Sequence, residues 1–383
     1  MKWFSIIIGI LGIFLTVNPF IRSANWFFRV GDFPRLQVLI LLITAFILLV
    51  FAFDSQNLFD SVFGVGLIIS IIYQTQAILP FTFLHRKEVQ SAKVPDLDDT
   101  NFSLLIFNVL MENRQFESVF NLIESYNPDV ILLAEPNAWW AEKLAPLKEK
   151  YPHNEACLLE NRYGMMLFSR LPLHETEIQF LIQEDIPSIH TLIELPSGDK
   201  IALHGVHPRP PAPEEGGRST ERDGELLLVG KAVCESNLPC IIAGDLNDAA
   251  WSRTTKLFKR VSGLLDPRVG RGFYNSFHAD YPFFRVPLDH IFNSHHFRLI
   301  HLERIKSSCG SDHFPVFVKL SLETDAAAEQ PKPIADSAEN EEAREKIGTA
   351  LKENKFGKLS FRRLKEKITE LKQKISRKRR ISL

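Results

Sequence analysis

Apolar and polar positions divide this chain of 383 residues into zones of different character. Residues 1–84 are overwhelmingly apolar, whereas residues 101–322 alternate apolar runs with polar breaks, as a globular domain does. Residues 85–100 between them are mostly polar, and residues 323–383 are charged and poor in aromatic side chains. The pattern predicts a membrane anchor, a linker, a globular domain, and a charged linker that ends in a basic amphipathic tail.

Three apolar runs in the first zone approach the length of a membrane-spanning helix. They cover residues 3–20, 38–53 and 58–79, and a spanning helix needs roughly 20 mostly apolar residues. A cleaved signal peptide is the alternative for the first run, but no small-residue cleavage motif follows it and further apolar runs do. The pattern therefore favours a multi-pass membrane protein with about three transmembrane helices.

Lysine and arginine are unevenly distributed around these runs. The loop after the first run carries three arginines and the segment after the third carries Arg86 and Lys87, whereas the opposite side offers Lys2. With three spans, the positive-inside rule places the globular domain at the cytoplasmic face of the membrane. One span fewer would reverse this orientation.

The central zone alternates strand-like and helix-like stretches. Apolar runs typical of strands lie at 103–109, 130–133, 165–168, 189–195, 200–206, 240–243, 286–292 and 314–320. Helical spacing is found at 116–123, 140–150, 220–234 and 252–259. The order begins β-α-β, which is typical of an α/β domain, and the proline-rich loop 207–217 can be neither helix nor central strand.

Polar side chains cluster where the predicted strands end. In chain order they are Asn108, Glu135, His207, Asp245, Asn247, Asp289, Asp312 and His313. A sheet holds the backbone rigid there, while the adjoining loops leave side chains free to meet a substrate. Oxygen ligands combined with imidazoles indicate metal-assisted phosphate chemistry.

This ordered set resembles the signature of the endonuclease/exonuclease/phosphatase superfamily, which has the DNase-I-like fold. The family's G-D-x-N motif is matched at residues 244–247 and its S-D-H motif at residues 311–313. The resemblance covers about residues 101–322 and implies a four-layered α/β sandwich, here preceded by transmembrane helices. It is closest to bacterial membrane-anchored members, which implies a location in the bacterial inner membrane.

The resemblance also implies a metal site. Glu135 is expected to be the main ligand of a divalent ion, with Asn108 and Asp312 supporting it. An oxygen-only ligand set suits Mg²⁺, with Mn²⁺ as the alternative.

Catalytic roles follow from the same resemblance. His313 is expected to be the catalytic imidazole and Asp289 the carboxylate that orients it. Asp245 and Asn247 would hold the attacking water or a phosphate oxygen, and His207 would stabilise charge on the phosphoryl group. Either His313 or Asp245 could be the general base, and the sequence leaves this choice open.

Other polar residues near these motifs are expected to have structural roles, or their roles stay open. His204 and His290 are expected to be structural histidines, because each lies inside or beside a predicted strand. Arg209, Arg218 and Arg222 could grip a phosphate or lie on a solvated face. The four cysteines are expected to be free thiols without metal-ligand spacing, although a bridge between two of them stays open: Cys157, Cys234, Cys240 and Cys309.

The sequence thus predicts a metal-dependent phosphoesterase that hydrolyses a phosphate ester or a pyrophosphate. The anchor favours a lipid-linked substrate, and some family members act on lipid pyrophosphates at the outer face, opposite to the orientation that the charges predict. A membrane-anchored endonuclease or exonuclease that cleaves DNA or RNA is the alternative. The basic tail at residues 361–381 could contact anionic lipid or nucleic acid, or could be a solvated helix, and no protein partner can be inferred.

Overall fold

The computed structural model describes residues 1–94, 99–236 and 238–353. The apolar N-terminal zone forms three long helices and one short one, which are α1 (Lys2–Val17), α2 (Trp26–Arg29), α3 (Arg35–Phe51) and α4 (Leu58–Ile78). The long helices pack together around Leu42, Ala45 and Leu67, which are buried. Large apolar side chains on their outer faces, such as Ile47 and Ile69, are exposed, as expected of helices in lipid.

Two segments, Lys2–Phe20 and Leu58–Phe81, are long and apolar enough to cross a membrane. A third span is present if Trp26–Asp32 and Arg35–Phe51, which meet at an angle of 72°, form one broken span. The three predicted apolar runs are therefore all helical, while the count of three spans stays a prediction.

Within the described residues, eleven strands form two sheets. The first sheet has the order β10-β11-β1-β2-β4-β3 and the second the order β5-β6-β7-β8-β9. The strands are β1 (Asn101–Asn108), β2 (Val130–Ala134), β3 (His153–Cys157), β4 (Met165–Ser169), β5 (Leu173–Gln179), β6 (Ser188–Glu194), β7 (Lys200–Val206), β8 (Cys240–Asp245), β9 (Asp289–Asn293), β10 (Phe297–Arg304) and β11 (Val316–Leu322). Strand β1 runs parallel to β2 and β7 parallel to β8, and every other pairing is antiparallel.

Helices cover the outer faces of both sheets. The remaining helices are α5 (Phe116–Tyr126), α6 (Ala138–Lys143), α7 (Leu147–Lys150), α8 (Thr220–Ser236), α9 (Arg253–Ser262), α10 (Ala326–Glu329) and α11 (Ser337–Glu353). Leu132 and Leu203 belong to the apolar core between the sheets, Trp140 to the core under α5 to α7, and Phe258 to the core under α8, α9 and α11. The predicted four-layered α/β sandwich is confirmed.

All eight predicted strands are present, and the strands that the sequence pattern missed lie at sheet edges. Strands β3 and β10 are the two edges of the first sheet, and β5 is one edge of the second. Edge strands expose one side and mix polar with apolar residues, so they carry no continuous apolar run. The predicted helix at 140–150 is divided into α6 and α7 just before Leu147, where Pro146 interrupts the hydrogen-bond ladder.

Both predicted linkers are packed in part, including the charged one after residue 322, whose composition predicts a solvated segment. In the first linker, Val89 is fully buried and the carbonyl of Gln90 accepts a 2.8 Å hydrogen bond from Leu299 of β10. In the second, Ile347 and Ala350 of α11 are buried against α8, so the prediction of a solvated linker is wrong for residues 337–353. The composition of this segment did not predict its packing, because α11 buries only a narrow apolar stripe. The basic tail at residues 361–381 lies outside the described residues.

The anchor and the globular domain share an interface rather than a flexible hinge. The Trp251 indole Nε1 donates a 2.7 Å hydrogen bond to the carbonyl of Asp32, and Phe81 packs edge-on against the same indole. Gly270 (φ +76°) donates to the carbonyl of Pro80, and a side chain at 270 would collide with the backbone of residues 85–87. The sandwich is therefore seated on the ends of the apolar helices.

The structure leaves all four cysteines as free thiols. Cys240 and Cys309 are buried, and Cys157 and Cys234 are half-buried. The bridge that the sequence left open between Cys234 and Cys240 is not formed.

Candidate active site

The predicted polar residues meet at one edge of the sandwich. The parallel pairs β1–β2 and β7–β8 end at this edge, and the antiparallel strand β9 begins there, with Asp289 opposite Asp245 in register. Asn108 lies opposite Ala134, immediately before Glu135. Strand ends of both sheets thus bring together side chains that are far apart in the sequence.

Glu135 and Asn108 form the centre of a buried oxygen-rich cluster. The Asn108 Nδ2 donates to Glu135 Oε1 at 2.7 Å and to Asp245 Oδ2 at 3.1 Å. The Asn108 Oδ1 accepts a 3.0 Å hydrogen bond from the Leu110 amide. In this arrangement Asn108 holds the two carboxylates together through its nitrogen.

His313 and Asp289 form a hydrogen-bonded dyad. The His313 Nδ1 lies 2.7 Å from Asp289 Oδ2, and the other ring nitrogen, Nε2, lies 3.6 Å from Asp245 Oδ2. Burial opposes the charged imidazole, but the carboxylates of Asp289, Asp245 and Asp312 outweigh it and raise the pKa of His313 to about 10. The surroundings of His313 thus favour its protonated form.

His207 and Asn247 are fixed by backbone partners. The His207 Nδ1 donates to the carbonyl of Asp245 at 3.1 Å, and its Nε2 lies 3.9 Å from Glu135 Oε1. The Asn247 side chain donates to the carbonyl of Pro208, and its backbone N–H donates to Asp245 Oδ1 at 3.0 Å. These bonds orient both side chains before any ligand arrives.

Asp312 completes the cluster from the first sheet. Its carbonyl accepts a 2.7 Å hydrogen bond from Ala279, and the neighbouring Ser311 hydroxyl donates to the carbonyl of Asn108 at 2.7 Å. All eight predicted site residues therefore lie at one site. Their individual catalytic and metal-binding roles stay predictions.

Two site residues adopt left-handed backbone conformations, Glu135 with φ +63° and Asn247 with φ +50°. Such a conformation costs a non-glycine residue on the order of 1–3 kcal/mol. At both positions it turns a polar side chain away from the strand direction and into the cluster. Strain of this kind concentrates at functional sites.

The cluster fits a hard divalent cation. Glu135 Oε2 is buried and has no hydrogen-bond partner, and burial raises the pKa of this carboxyl group even though His207 and Asn108 oppose the rise. A bound cation would supply the missing partner and reverse the shift. Asp245, Asp289 and His313 each place one donor atom within 4.8 Å of the others and form a second candidate position. We favour the Glu135 position, because the 2.7 Å hydrogen bond between Asp289 and His313 already uses Asp289 Oδ2 and His313 Nδ1, whereas Glu135 Oε2 has no partner.

The cavity in front of the cluster has a wall that the sequence did not predict. Its volume is about 550 Å³, and its lining includes Trp26, Arg29, Val30 and Phe33 of the anchor opposite Glu135 and the other site residues. The local signal was weak: an arginine directly after three aromatic residues, between two apolar runs. Placing that segment at the site requires knowledge of how the anchor packs.

A buried ion-pair chain connects the anchor to Asn247. The Arg29 Nη2 donates to Asp223 Oδ2 at 3.0 Å, and Asp223 Oδ1 accepts from Arg222 at 2.8 Å. Arg222 in turn donates to the carbonyl of Asn247 at 2.7 Å. Both interpretations that the sequence offered for Arg222, a phosphate ligand or a solvated side chain, are therefore wrong, because the guanidinium is buried and supports the backbone of the site.

The other neighbouring residues have structural partners. His204 Nδ1 lies 2.7 Å from His190 Nδ1, and His290 contacts Arg268 at 2.6 Å and the carbonyl of Asp248 at 2.8 Å. The prediction that His204 and His290 are structural is confirmed. Arg209 pairs with Asp185 at 2.7 Å at the rim of the cavity, and Arg218 pairs with Glu353 at the surface.

A four-layered α/β sandwich with carboxylates, amides and imidazoles gathered at one end of its sheets is the arrangement of a phosphoester hydrolase. The model of the Endonuclease/Exonuclease/phosphatase family matches residues 105–313, more than half of the chain. The chain therefore belongs to the endonuclease/exonuclease/phosphatase family.

Several solved structures are similar to this chain. An endonuclease/exonuclease/phosphatase from Beutenbergia cavernae is 16% identical, with coverage of 58% of this chain and 72% of that chain and a TM-score of 0.47. The D. rerio TDP2 complexed with a single-strand DNA product is 19% identical (58% and 100% covered, TM-score 0.48). The human Nocturnin catalytic domain is 16% identical (64% and 99% covered, TM-score 0.49). No curated protein matches the chain.

Proposed function

We propose that this protein is a divalent-metal-dependent phosphoesterase, using Mg²⁺ or Mn²⁺, that hydrolyses a phosphate ester or a pyrophosphate carried by a membrane lipid. The supporting observation is the shared cavity, in which catalytic-type residues of the sandwich face residues of the apolar anchor. An apolar wall beside charged residues suits a substrate that has both an apolar and a charged part. A lipid headgroup whose tail stays in the bilayer would contact both sides.

One side of the cavity is mainly apolar and the other is charged, as a phosphate group carried by a lipid requires. Trp26, Val30 and Phe33 present apolar surface from the anchor, whereas Glu135 and His313 present charge from the sandwich. Ligand cavities generally combine mostly apolar walls with a few convergent polar groups. The polar groups here would hold the phosphate, and the apolar wall would contact the first part of the lipid tail.

A bound divalent ion would be held by Glu135, with support from Asp312 and from Asn108, whose Nδ2 donates to Glu135 Oε1, and it would neutralise charge on the phosphoryl oxygens. Asp245 Oδ2 and His313 Nε2 lie 3.6 Å apart, so a water or a phosphate oxygen placed beside them contacts both groups. These two side chains are the groups that move protons. Asp289 holds the Nδ1 side of the imidazole, which keeps Nε2 directed at the reacting atoms.

His207 and Asn247 would position the phosphate. The Nδ1–H of His207 is committed to the carbonyl of Asp245, so its Nε2 is the atom that faces the cavity and, when protonated, donates to a phosphoryl oxygen. Hydrogen bonds of this kind stabilise charge that develops in the transition state.

We further infer a multi-pass protein of the bacterial inner membrane with its catalytic domain at the cytoplasmic face. Arg86 and Lys87 support this orientation, because both are exposed just beyond the last apolar helix. Arg29 and Arg35 support it less than the sequence suggested, since both are buried in ion pairs. Labelling a cysteine introduced at Lys87 in intact cells with a membrane-impermeant reagent tests the orientation, and labelling from the outside would reverse it.

The test of function compares lipid and nucleic-acid substrates. The full chain in lipid nanodiscs is incubated with Mg²⁺ or Mn²⁺ and either a polyprenyl pyrophosphate or DNA, and released phosphate and cleaved strands are measured. Glu135→Gln is the blank, and Glu117→Gln, an exposed carboxylate on α5, is the matched control. We expect lipid turnover that Glu135→Gln abolishes and Glu117→Gln retains.

Cleavage of DNA without lipid turnover would replace this proposal with a membrane-anchored nuclease. The cations in the lining of the cavity argue against that result. Arg29 pairs with Asp223 and Arg162 with Glu112, so among the described lining residues neither arginine is left to track a nucleic-acid backbone.

A further inference from the structure

We infer that the turn at residues 281–284, hereafter the aromatic turn, inserts into the lipid interface beside the anchor. This contact belongs to the catalytic domain itself and goes beyond the proposed function, because it requires no particular substrate. The side chains of Tyr281, Phe283 and Phe284 are 59%, 82% and 68% exposed. Burial of a phenylalanine side chain away from water is favourable, so two adjacent exposed rings in one turn call for an apolar partner.

The position of the aromatic turn identifies that partner. The Gln37 Nε2, in the first turn of α3, donates a 2.8 Å hydrogen bond to the carbonyl of Phe283. One turn further along α3, Ile40 is 58% exposed and begins the outer apolar face of the helix. At 1.5 Å per residue, this face starts only about 5 Å beyond Gln37. The aromatic turn therefore lies at the depth where the anchor changes from polar to apolar.

Two further exposed apolar side chains lie near the same end of the anchor. Phe83 and Leu84 follow α4 and are 84% and 87% exposed, and Phe83 lies close to Gly272 in the segment that leads to the aromatic turn. The exposed cations Arg86 and Lys87 come next along the chain. Aromatic side chains followed by basic ones form the usual boundary between a bilayer and water.

Hydrogen bonds and a ring contact within the aromatic turn fix its conformation. The exposure of its aromatic side chains therefore belongs to a defined conformation. The Phe284 amide donates to the carbonyl of Tyr281 at 2.9 Å, and Arg285 Nη2 donates to the carbonyl of Ala279 at 2.7 Å. The rings of His278 and Tyr281 pack with centroids 4.6 Å apart. Such a turn pays little ordering entropy when its tip enters lipid.

The base of the same loop touches the catalytic cluster. Ala279 donates to the carbonyl of Asp312 at 2.7 Å, and the ring of Phe277 lies 4.9 Å from that of His313. Lipid contact at the tip would therefore set the height of the site above the bilayer. A lipid surface fits these observations better than a protein partner, because the aromatic turn adjoins a helix whose own apolar face needs lipid.

Nitroxide labelling tests the inference without any substrate. In a background with Cys157→Ser and Cys234→Ser, a label is attached to Phe283→Cys in nanodiscs, and its collisions with O₂ and with a water-soluble nickel chelate are compared by electron paramagnetic resonance. The matched control is Asp199→Cys, an exposed position before β7, roughly 20 Å along that strand from the site.

We expect the label at 283 to collide more with O₂ than with the nickel chelate, and the label at 199 to show the reverse. A label at Phe284→Cys should behave like that at 283, which guards against one disturbed position. Nickel accessibility at 283 and 284 equal to that at 199 would overturn the inference by showing that the turn is solvated. Low accessibility to both reagents would overturn it by showing that a protein covers the turn. Lipid burial without lipid turnover would leave the inference standing and reject the proposed function.

Discussion

At the scale of single residues, the main feature of the site is a set of buried ionisable groups, not all of which have complete hydrogen-bond partners. Glu135 keeps one carboxylate oxygen without a partner, while His313 is surrounded by carboxylates. Buried groups of this kind cost stability and are retained where they act on a ligand. Substitutions of these residues should therefore separate stability from activity.

Replacing either residue that we propose to transfer protons should abolish most of the activity. We expect His313→Ala and Asp245→Asn each to lower turnover by at least about 100-fold, because each removes an acid-base or positioning group. Steady-state kinetics on the proposed lipid substrate measures this, and His174→Ala, a half-exposed histidine paired with Glu194, is the control. Near-normal turnover in either variant would remove that residue from the mechanism.

Glu135→Gln should stabilise the metal-free protein while removing its response to metal. The neutral amide relieves the cost of a buried carboxylate without a partner, and we expect the free energy of unfolding in chelator to rise by about 1 kcal/mol. Thermal unfolding with and without Mn²⁺ measures both effects, since an ion that binds only the folded state raises its stability. A metal-induced rise in melting temperature that survives in Glu135→Gln would place the ion elsewhere, with the trio of Asp245, Asp289 and His313 as the next candidate.

At the scale of elements, buried polar pairs join neighbouring strands and helices. The His190–His204 pair connects β6 to β7, and Asp223 at the start of α8 connects the anchor, α8 and α11 through Arg29 and Lys346. These pairs lie inside the packing, so each has a large effect on stability and little exposure to salt.

The histidine pair makes the sandwich sensitive to acid. Burial lowers the pKa of His204 to about 4 and that of His190 well below its usual range. Between the usual value near 6.5 and the folded value, the unfolded chain binds protons that the folded chain does not, so stability falls as the pH falls. For His204 we expect a loss on the order of 2 kcal/mol between pH 7 and pH 5.

Chemical unfolding of the full chain at pH 7 and pH 5 measures this loss. His204→Gln removes one of the two titrating rings and should flatten the pH dependence, even though it lowers stability at pH 7. An unchanged pH dependence in this variant would show that other groups cause the acid sensitivity.

The Asp223 carboxylate should be more important for stability than any one of its cations. Although burial opposes its charge, Lys346, Arg222 and Arg29 hold the pKa of this carboxyl well below its usual range. Asp223→Ala removes a shared partner from three cations, and we expect a loss of roughly 3–5 kcal/mol in unfolding experiments. Arg29→Met leaves Asp223 with two cations and should cost less, so the reverse order of the two variants would refute this account.

At the scale of the whole molecule, the anchor is part of the fold and not only a tether. Ile78 and Phe81 complete an apolar cluster with Trp251, Val269 and Leu288 of the sandwich. The same contact positions the anchor wall of the cavity. The architecture of the site thus depends on the interface between the anchor and the sandwich.

A chain that begins at residue 85 should therefore be unstable. It exposes the apolar surface around Trp251, and burial of two large side chains contributes roughly 3–6 kcal/mol, so we expect aggregation or a melting temperature lower by roughly 10 °C. Size-exclusion chromatography and thermal unfolding against the full chain in detergent measure this. A monomeric truncated chain with an unchanged melting temperature would contradict a structural role for the anchor.

Local patterns in the sequence were sufficient for the central elements and for the members of the site. Strands such as β2 and β8 are buried on both faces, so they read as continuous apolar runs, and the polar residue that ends each run, such as Asp245, is conspicuous. The ordered motifs then pointed to one family. Edge strands and α11 were missed because their burial is partial and depends on neighbours that a local pattern does not contain.

Chain composition and local periodicity by themselves determined the apolar anchor, the α/β class and the eight polar residues at strand ends. Only the tertiary structure decided that Arg29 and Trp26 form a wall of the cavity, that Arg222 supports Asn247, and that the aromatic turn reaches α3. The physical reason is that hydrophobic periodicity is a property of each segment alone. Ion pairs and cavity walls depend on the distance between segments, and packing sets that distance.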